Sequence, residues 1–392
     1  MATKALFSRL VMCYNGAMLE ELNTYTLAVS EETPWLLPLC FALFGACIGS
    51  FLNVVIYRMP RGLSVNEPAR SFCPDCKKEI PWYLNIPIVS WLMLRGRSAC
   101  CGKRISARYC VVEVITALLF AAVAWQFATD PLPAQVLLCV WGAIMLAVLC
   151  IDWEQMIVLP VLTNTAAAVG VLTALFAPWL VEPQALGATD GLLWSLCGAI
   201  SGYVLLKAVA LIGRLLFGRK SESYEQPRTW QLQQAGDDLE LKIGDTVYLW
   251  SELFMESANR VTLTHADISA AGDAAAGDIT FTTESAVLAD GTIIELEEHE
   301  SLSGTCHGMS TSKEAMGSGD ALIALSIGAL CGWQGVLFAL VAGSFAGLLQ
   351  ALIARIGRGQ PMPFGPAFII GALIYLFFGN TLINYYLSSF AY

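Results

Sequence analysis

The sequence Gly317-Ser318-Gly319-Asp320-Ala321-Leu322-Ile323-Ala324-Leu325 places one carboxylate at the mouth of an apolar segment, directly behind two glycines. A carboxylate at the edge of hydrocarbon is costly, so it indicates a function and a partner. The rest of the chain therefore has to account for what surrounds Asp320 and for a second group that pairs with it.

The composition is that of a polytopic membrane protein interrupted by one acidic segment. Hydrophobic residues make up 56% of the 392 residues, charged residues 14%, and the mean hydropathy is +0.61. Residues 221–316 hold 18 Asp and Glu but only 4 Lys and Arg, a net charge of −14. Because the whole chain carries −10, the remainder carries +4. The 13 cysteines show no disulfide framework, and nothing in the sequence indicates nucleic-acid binding.

Apolar runs approach the ~20 residues that a helix needs to cross a bilayer. They are residues 35–57, 111–128, 134–151, 157–180, 191–217, 321–332, 336–356 and 368–387. These runs predict an all-α polytopic membrane protein with about eight transmembrane helices. The predicted segments are an N-terminal segment (1–33), the first helix (34–57), a loop (58–110), helices two to five (111–220), an insert (221–315) and helices six to eight (316–392).

Loop charges predict the orientation of these helices. The loop 58–110 holds ten Lys and Arg against three acids, and basic loops stay on the cytoplasmic side. The N-terminus is therefore predicted outside, and the loop 58–110 and the acidic insert inside.

The insert has the pattern of a small β-rich domain. Residues 239–243, 247–250, 260–264 and 278–282 alternate between apolar and polar side chains, as half-buried strands do. Asp290-Gly291 is typical of a hairpin turn. We therefore expect a small β-rich cytoplasmic insert.

A second acid, Asp152, ends the third apolar run on the same predicted side as Asp320. Two carboxylates at one depth can share a proton, so that one activates water and the other protonates a carbonyl oxygen, as in aspartic proteases. Gly317 and Gly319 suit such a site because a substrate must lie extended and close to the backbone. The same acids fit two other interpretations equally well at this point: interfacial charges that cap helices, or the proton relay of an ion-coupled transporter.

Ordered motifs distinguish these interpretations. The chain contains Gly49-Ser50-Phe51-Leu52-Asn53-Val54-Val55-Ile56-Tyr57-Arg58-Met59-Pro60, Cys73-Pro74-Asp75-Cys76, Asn85-Ile86-Pro87-Ile88-Val89-Ser90-Trp91, Arg108-Tyr109-Cys110-Val111-Val112-Glu113, Ile151-Asp152 with Leu159-Pro160, Gly317-Ser318-Gly319-Asp320 and Pro363-Phe364-Gly365-Pro366. In this order, and leaving out the insert, they resemble the type IV prepilin peptidases, which are intramembrane aspartic proteases with a GxGD motif.

The resemblance implies that Asp152 and Asp320 form the catalytic pair of an enzyme in the bacterial inner membrane. Such enzymes remove the leader of type IV prepilin or pseudopilin precursors at the cytoplasmic face. Many then methylate the new N-terminus with S-adenosylmethionine, and the loop 58–110 with residues 49–60 would serve substrate and methyl-donor binding. The motif residues that the resemblance assigns to substrate binding are Gly49, Asn53, Arg58, Glu113, Gly317, Gly319, Pro363 and Gly365.

Some positions depart from the family pattern. Val161 follows Leu159-Pro160 where the family usually has an aspartate, no lysine follows Asp320 closely, and Cys110 stands where proline is usual. Glu113 is also explained as an acid at a helix start, which the helix dipole favours. A protein that only binds precursors during assembly is a further alternative.

The loop 58–110 also carries an incomplete metal motif. By resemblance, a CxxC pair followed by a second CxxC pair would hold a structural zinc ion. The chain supplies Cys73 and Cys76, then Ser98 in place of the third cysteine, then Cys100 and Cys101. We expect zinc at Cys73, Cys76, Cys100 and Cys101, with Cys110 as a possible substitute and a metal-free cysteine loop as the alternative.

Overall fold

A computed structural model describes residues 21, 23–29, 31–68, 70–73, 75–185, 187–217, 219–235, 238–254, 260–268, 277–296, 301–312, 317–354 and 363–389. The chain divides into two compact units. One comprises Met1–Val204 with Gly319–Tyr392, and the other comprises Leu205–Ser318. Residues 1–20 of the predicted N-terminal segment and Met316 lie outside the described residues.

Long apolar helices account for most of the first unit and for the start of the second. They are α1 (Leu36–Arg58), α2 (Ala107–Gln126), α3 (Leu132–Gln155), α4 (Pro160–Phe176), α5 (Ala188–Phe217), α6 (Ser318–Ala354) and α7 (Gly365–Ser389). Within the described residues, five helices are long and apolar enough to cross a membrane, and the apolar stretches of α4 and α7 are shorter. The chain is therefore a helical membrane protein that also carries a β-sheet.

Helix α6 is broken at Gly332, where φ is 66° and ψ is −176°. Glycine adopts this conformation far more readily than other residues. A Cβ added at Gly365 would lie 2.9 Å from Ile323 Cδ1, and one at Gly343 would lie 3.0 Å from Phe368 Cα. In a continuous helix, Ile323 and Gly343 would be about 30 Å apart, yet both lie beside the first turn of α7. The chain therefore reverses at Gly332.

The two halves of α6 correspond to the predicted runs 321–332 and 336–356. The sequence suggests a loop between them, but the structure replaces that loop with the single backbone break at Gly332. The number of membrane crossings, about eight, stays a prediction.

Small residues let these helices approach closely. A Cβ at Gly45 would lie 2.7 Å from Thr116 O, and one at Gly49 would lie 2.7 Å from Glu113 Cα, so α1 packs tightly on α2. Gly198 of α5 faces Gly328 of α6 in the same way. Membrane helices associate through such contacts because lipid supplies little hydrophobic force between them.

The second unit contains an eight-stranded sheet in the order β3-β2-β1-β8-β4-β5-β6-β7. The strands are β1 (Arg219–Ala235), β2 (Asp238–Ile243), β3 (Thr246–Leu249), β4 (Arg260–Ala266), β5 (Gly277–Phe281), β6 (Ser285–Val287), β7 (Ile293–Glu295) and β8 (Ser301–Ser312). The prediction of a β-rich insert is confirmed. Strands β1 and β8, which pair antiparallel at its centre, were not predicted from the alternation pattern.

Aromatic side chains fill the core of this sheet. The ring centroids of Trp230 and Phe281 are 5.7 Å apart, and those of Trp250 and Phe281 are 5.8 Å apart. Trp250 begins a short helix, Trp250–Leu253, rather than ending the strand predicted over 247–250. The insert therefore has a hydrophobic core of its own.

The contact between α5 and α6 predicts the effect of adding one methyl group. In a Gly328→Ala variant, the new Cβ collides with the backbone of Gly198, which cannot move aside as a flexible side chain can. We expect the free energy of unfolding to fall by about 1–3 kcal/mol, measured as a lower thermal midpoint in detergent. Gly187→Ala is the matched control because nothing lies within 4 Å of its added Cβ. Equal midpoints for the two variants would contradict this packing.

Candidate active site

Three helix ends meet at the acidic pair. Asp152 lies in the last turn of α3 and is only 5% exposed. Asp320 lies in the first turn of α6 and is half-buried. The two carboxylates are close enough to interact electrostatically. The structure thus brings together the two acids that lie far apart in the sequence.

Glycines allow this meeting. A Cβ at Gly319 would lie 2.6 Å from Val158 Cβ, so the start of α6 packs directly on the chain that follows α3. A Cβ at Gly365 would collide with the Asp152 carboxylate. Gly317 directly precedes α6 and Pro363 precedes α7.

The backbone N–H of Gly365 lies beside the Asp152 carboxylate. The first N–H groups of a helix have no partner within the helix and carry a partial positive charge. Because Gly365 begins α7, this N–H stabilises a negative charge on Asp152.

A buried hydrogen bond fixes α3 against α6 deeper in the bundle. Trp141 Nε1 donates to Ser326 Oγ at 3.1 Å, and neither side chain is exposed. Ser326 Oγ also lies 3.4 Å from Met145 Sδ. Polar groups buried in an apolar bundle need such partners. This contact helps to hold the two acids at one depth.

A cavity of about 390 Å³ lies between the ends of α1 and α2 and the chain that connects them. Its lining includes aromatic side chains, hydroxyl groups, the amide of Asn53 and the carboxylate of Glu113. Its size falls in the range of small-molecule sites. The cavity brings Asn53, Arg58 and Glu113 of the predicted site residues to one place.

These three residues have different local roles. Asn53 Nδ2 donates to Gly49 O at 3.2 Å and to Tyr109 O at 3.1 Å. Glu113 Oε2 accepts the N–H of Ile88 at 2.6 Å. The Arg58 guanidinium donates to the carbonyl oxygens of Ser64, Val65 and Pro68. Arg58 therefore anchors the loop that covers the cavity.

An ion pair that the sequence did not predict links the cavity to the acidic pair. Arg108, at the start of α2, donates to both oxygens of Glu154 at 2.8 and 2.7 Å. Glu154 lies in the last turn of α3, directly after Trp153 and Asp152. The signal in the sequence was a pair of opposite charges at the predicted cytoplasmic ends of two neighbouring spans.

Four cysteines converge in the loop between α1 and α2. The sulfur atoms of Cys73, Cys76, Cys100 and Cys101 all lie within 4.8 Å of one another. Cys73 Sγ lies 3.7 Å from Cys101 Sγ, and Cys76 Sγ lies 3.1 Å from Cys100 Sγ. Tetrahedral zinc with Zn–S bonds of ~2.3 Å separates its ligands by ~3.8 Å, so the set fits a zinc ion.

Two similar turns build the cluster. Cys73 N–H donates to Lys78 O in the first turn, and Ser98 N–H donates to Lys103 O in the second. Ser98 therefore occupies the place that corresponds to Cys73. Its hydroxyl lies 3.5 Å from Cys73 Sγ and 3.0 Å from Cys100 Sγ, so Cys100 supplies the sulfur that Ser98 lacks.

The environment of Cys73 favours the thiolate that a metal requires. Hydrogen bonds from the backbone N–H of Cys76 and the hydroxyl of Ser98 lower the pKa of the Cys73 thiol to about 6. Thiolates, rather than thiols, bind zinc. The group of potential metal ligands found in the described part of the chain does not include Cys110, which lies in α2.

Comparison with known proteins finds two family matches along the chain. Residues 43–127 match the sequence profile of the bacterial peptidase A24 N-terminal domain, and residues 248–352 match that of the type IV leader peptidase family. The second match contains Asp320, whereas Asp152 lies between the two matches.

Several proteins named prepilin leader peptidase/N-methyltransferase are similar to the chain. The Aeromonas hydrophila protein is 27% identical over 391 residues, which cover 93% of this chain and 98% of that protein. The Klebsiella pneumoniae protein is 34% identical over 202 residues, covering 50% and 82%, respectively. The Dichelobacter nodosus protein is 34% identical over 208 residues, covering 46% and 68%. No solved structure matches the chain.

The cysteine cluster predicts a measurable metal content. We expect the purified protein to hold one zinc ion per chain, and Cys76→Ser or Cys101→Ser to reduce this to below about 0.2 because each removes one of four thiolates. Elemental analysis by mass spectrometry measures the content. Cys110→Ser is the matched control and should retain the metal. Wild-type protein without stoichiometric zinc would exclude the site.

Proposed function

The chain belongs to the type IV leader peptidase family and is a prepilin peptidase, and from this premise we propose that Asp152 and Asp320 are its catalytic residues. The substrate is the precursor of a type IV pilin or pseudopilin. The observation that carries the proposal is the convergence of the two carboxylates at the ends of α3 and α6, with the N–H of Gly365 beside Asp152.

The geometry suggests separate roles for the two acids. Two carboxylates at close range in apolar surroundings share one proton, so one is ionised while the other is neutral. Because Gly365 N–H stabilises the charge on Asp152, we assign water activation to Asp152. Asp320 then donates its proton to the oxygen of the scissile carbonyl. The attacked carbonyl carbon becomes tetrahedral, and the amide C–N bond breaks as the leaving amine takes up the proton that Asp152 accepted from the water.

We also propose eight membrane crossings, with the N-terminus outside and the acidic pair at the cytoplasmic face of the inner membrane. The reversal at Gly332 supports this count, because the halves of α6 run in opposite directions beside α7. The ten Lys and Arg of the loop 58–110 support the orientation. On this topology the Leu205–Ser318 sheet unit is cytoplasmic.

Methylation of the new N-terminus is the second proposed step. The cavity between α1 and α2 is lined by Trp91 and by three further aromatic rings that already face protein cations, and its size suits a small methyl donor. S-adenosylmethionine would supply the methyl group when bound there. The cysteine cluster with its zinc ion would fix the chain that closes the cavity, since that chain is too short to have a core of its own.

Replacing either acid tests the peptidase. We expect Asp152→Asn and Asp320→Asn each to slow leader cleavage by at least about a thousandfold, because each removes one proton-transfer group. Cleavage of a precursor peptide in detergent, followed by mass spectrometry, measures the rate without any membrane gradient, which an ion-coupled transporter would need.

Asp130→Asn is the matched control for this experiment. It makes the same chemical change just before the start of α3, away from the acidic pair, and should cleave at the wild-type rate. All three variants should insert into membranes and purify in equal amounts. Normal processing by either Asp152→Asn or Asp320→Asn would refute the assignment.

A further inference from the structure

One residue that lines the cavity between α1 and α2 has a hydrogen-bond acceptor without a partner. Asn53 is 3% exposed and lines this cavity, yet its Oδ1 atom is buried without a partner. Both groups beside Nδ2, Gly49 O and Tyr109 O, are carbonyl oxygens. The amide therefore cannot be turned around, and Oδ1 remains an acceptor that a donor bound in the cavity would satisfy.

A carboxylate lies in the lining of the same cavity. Glu113 is 8% exposed and accepts hydrogen bonds from Ile88 N–H and from Ser50. These two bonds use about half of the roughly four acceptor positions of a carboxylate. Among the described residues, no ion pair involves Glu113. Its negative charge is therefore not balanced by a cation of the described protein.

The cationic side chains around the cavity do not change this balance. Nη1 of Arg58 donates to the carbonyl oxygens of Ser64, Val65 and Pro68, and Arg58 makes no ion pair with Glu113 among the described residues. Arg104 lines the cavity but is exposed and makes no ion pair with Glu113 in the described part of the chain. Because Arg104 lines the cavity, a ligand that carries a carboxylate as well as a cation can also be accommodated.

We propose that Asn53 and Glu113 form a binding site for a primary α-ammonium group. Such a group offers three N–H donors and one positive charge, which satisfy Asn53 Oδ1 and balance the Glu113 carboxylate. A sulfonium ion has the charge but no N–H, so it would leave Oδ1 unsatisfied. Trp91 adds an aromatic ring to the lining, whereas the rings of Phe72 and Tyr109 already face Arg58 and Arg108.

The proposal rests on the proposed methylation, because that reaction brings two α-ammonium groups to the cavity. One is the new N-terminus of the cleaved precursor, and the other belongs to the amino-acid part of the methyl donor. The chemistry of the site is the same in both cases, and binding measurements distinguish the two sources.

The test uses the full chain in detergent and isothermal titration calorimetry. The first arm compares a peptide with the sequence of the cleaved precursor, with a free or an acetylated N-terminus. The second compares S-adenosylhomocysteine with methylthioadenosine, two neutral thioethers of which only the first carries the amino-acid part of the methyl donor. We expect the wild-type protein to bind the ammonium-bearing ligand at least tenfold more tightly than its comparison ligand in one of the two arms. That arm identifies the source of the ammonium group.

Glu113→Gln keeps an acceptor for Ile88 N–H but removes the charge. We expect it to reduce that preference to below threefold while the affinity for the acetylated peptide or methylthioadenosine stays unchanged. Glu79→Gln is the matched control because it makes the same chemical change at an exposed residue of the loop 58–110 that does not line the cavity. It should keep the wild-type preference.

Two results would overturn the site. One is a Glu113→Gln protein that retains the full preference. The other is a wild-type protein without preference in either arm, a result that does not depend on the folding of any variant. Wild-type leader cleavage and N-methylation are scored on the same preparation by mass spectrometry. Failure of the proposed function would appear there, whereas failure of the ammonium site would appear in the binding comparison alone.

Discussion

The arrangement depends on one contact, the close approach of Gly365, at the start of α7, to the Asp152 carboxylate. A buried carboxylate in a helical membrane protein is costly unless a donor compensates it, and the free N–H groups at the start of α7 provide one. The contact requires three helix ends to meet, and each approach depends on a missing side chain at Gly319 or Gly365. These two glycines thus position the acidic pair.

Sequence reasoning identified the acids, the apolar runs and the β-rich insert because each has a local signal. Motif order and loop charge placed Asp152 and Asp320 on one side, and the structure brings their carboxylates together. Contacts between distant segments were not predictable. The pairing of β1 with β8, the Arg108–Glu154 ion pair and the use of Cys100 where Ser98 replaces a cysteine all depend on tertiary geometry.

The two proposed reactions belong to neighbouring parts of one unit. Arg108 begins α2 next to Tyr109, which lines the cavity, and its ion pair with Glu154 reaches the last turn of α3, where Asp152 lies. Cleavage produces the amine that methylation consumes, so a short distance between the sites would favour transfer of the product. The half-buried ion pair, with both partners 23–33% exposed, is better placed to fix these helices than a fully exposed pair.

The central claim is that both carboxylates act on one tetrahedral centre. The most direct measurement is the affinity of a precursor-like peptide in which a hydroxyethylene group replaces the scissile amide. Because this group imitates the tetrahedral state, the peptide should bind at least about a hundredfold more tightly than the substrate. The account predicts that this gain disappears in both Asp152→Asn and Asp320→Asn. Tight binding of the analogue by either variant would contradict a shared catalytic centre.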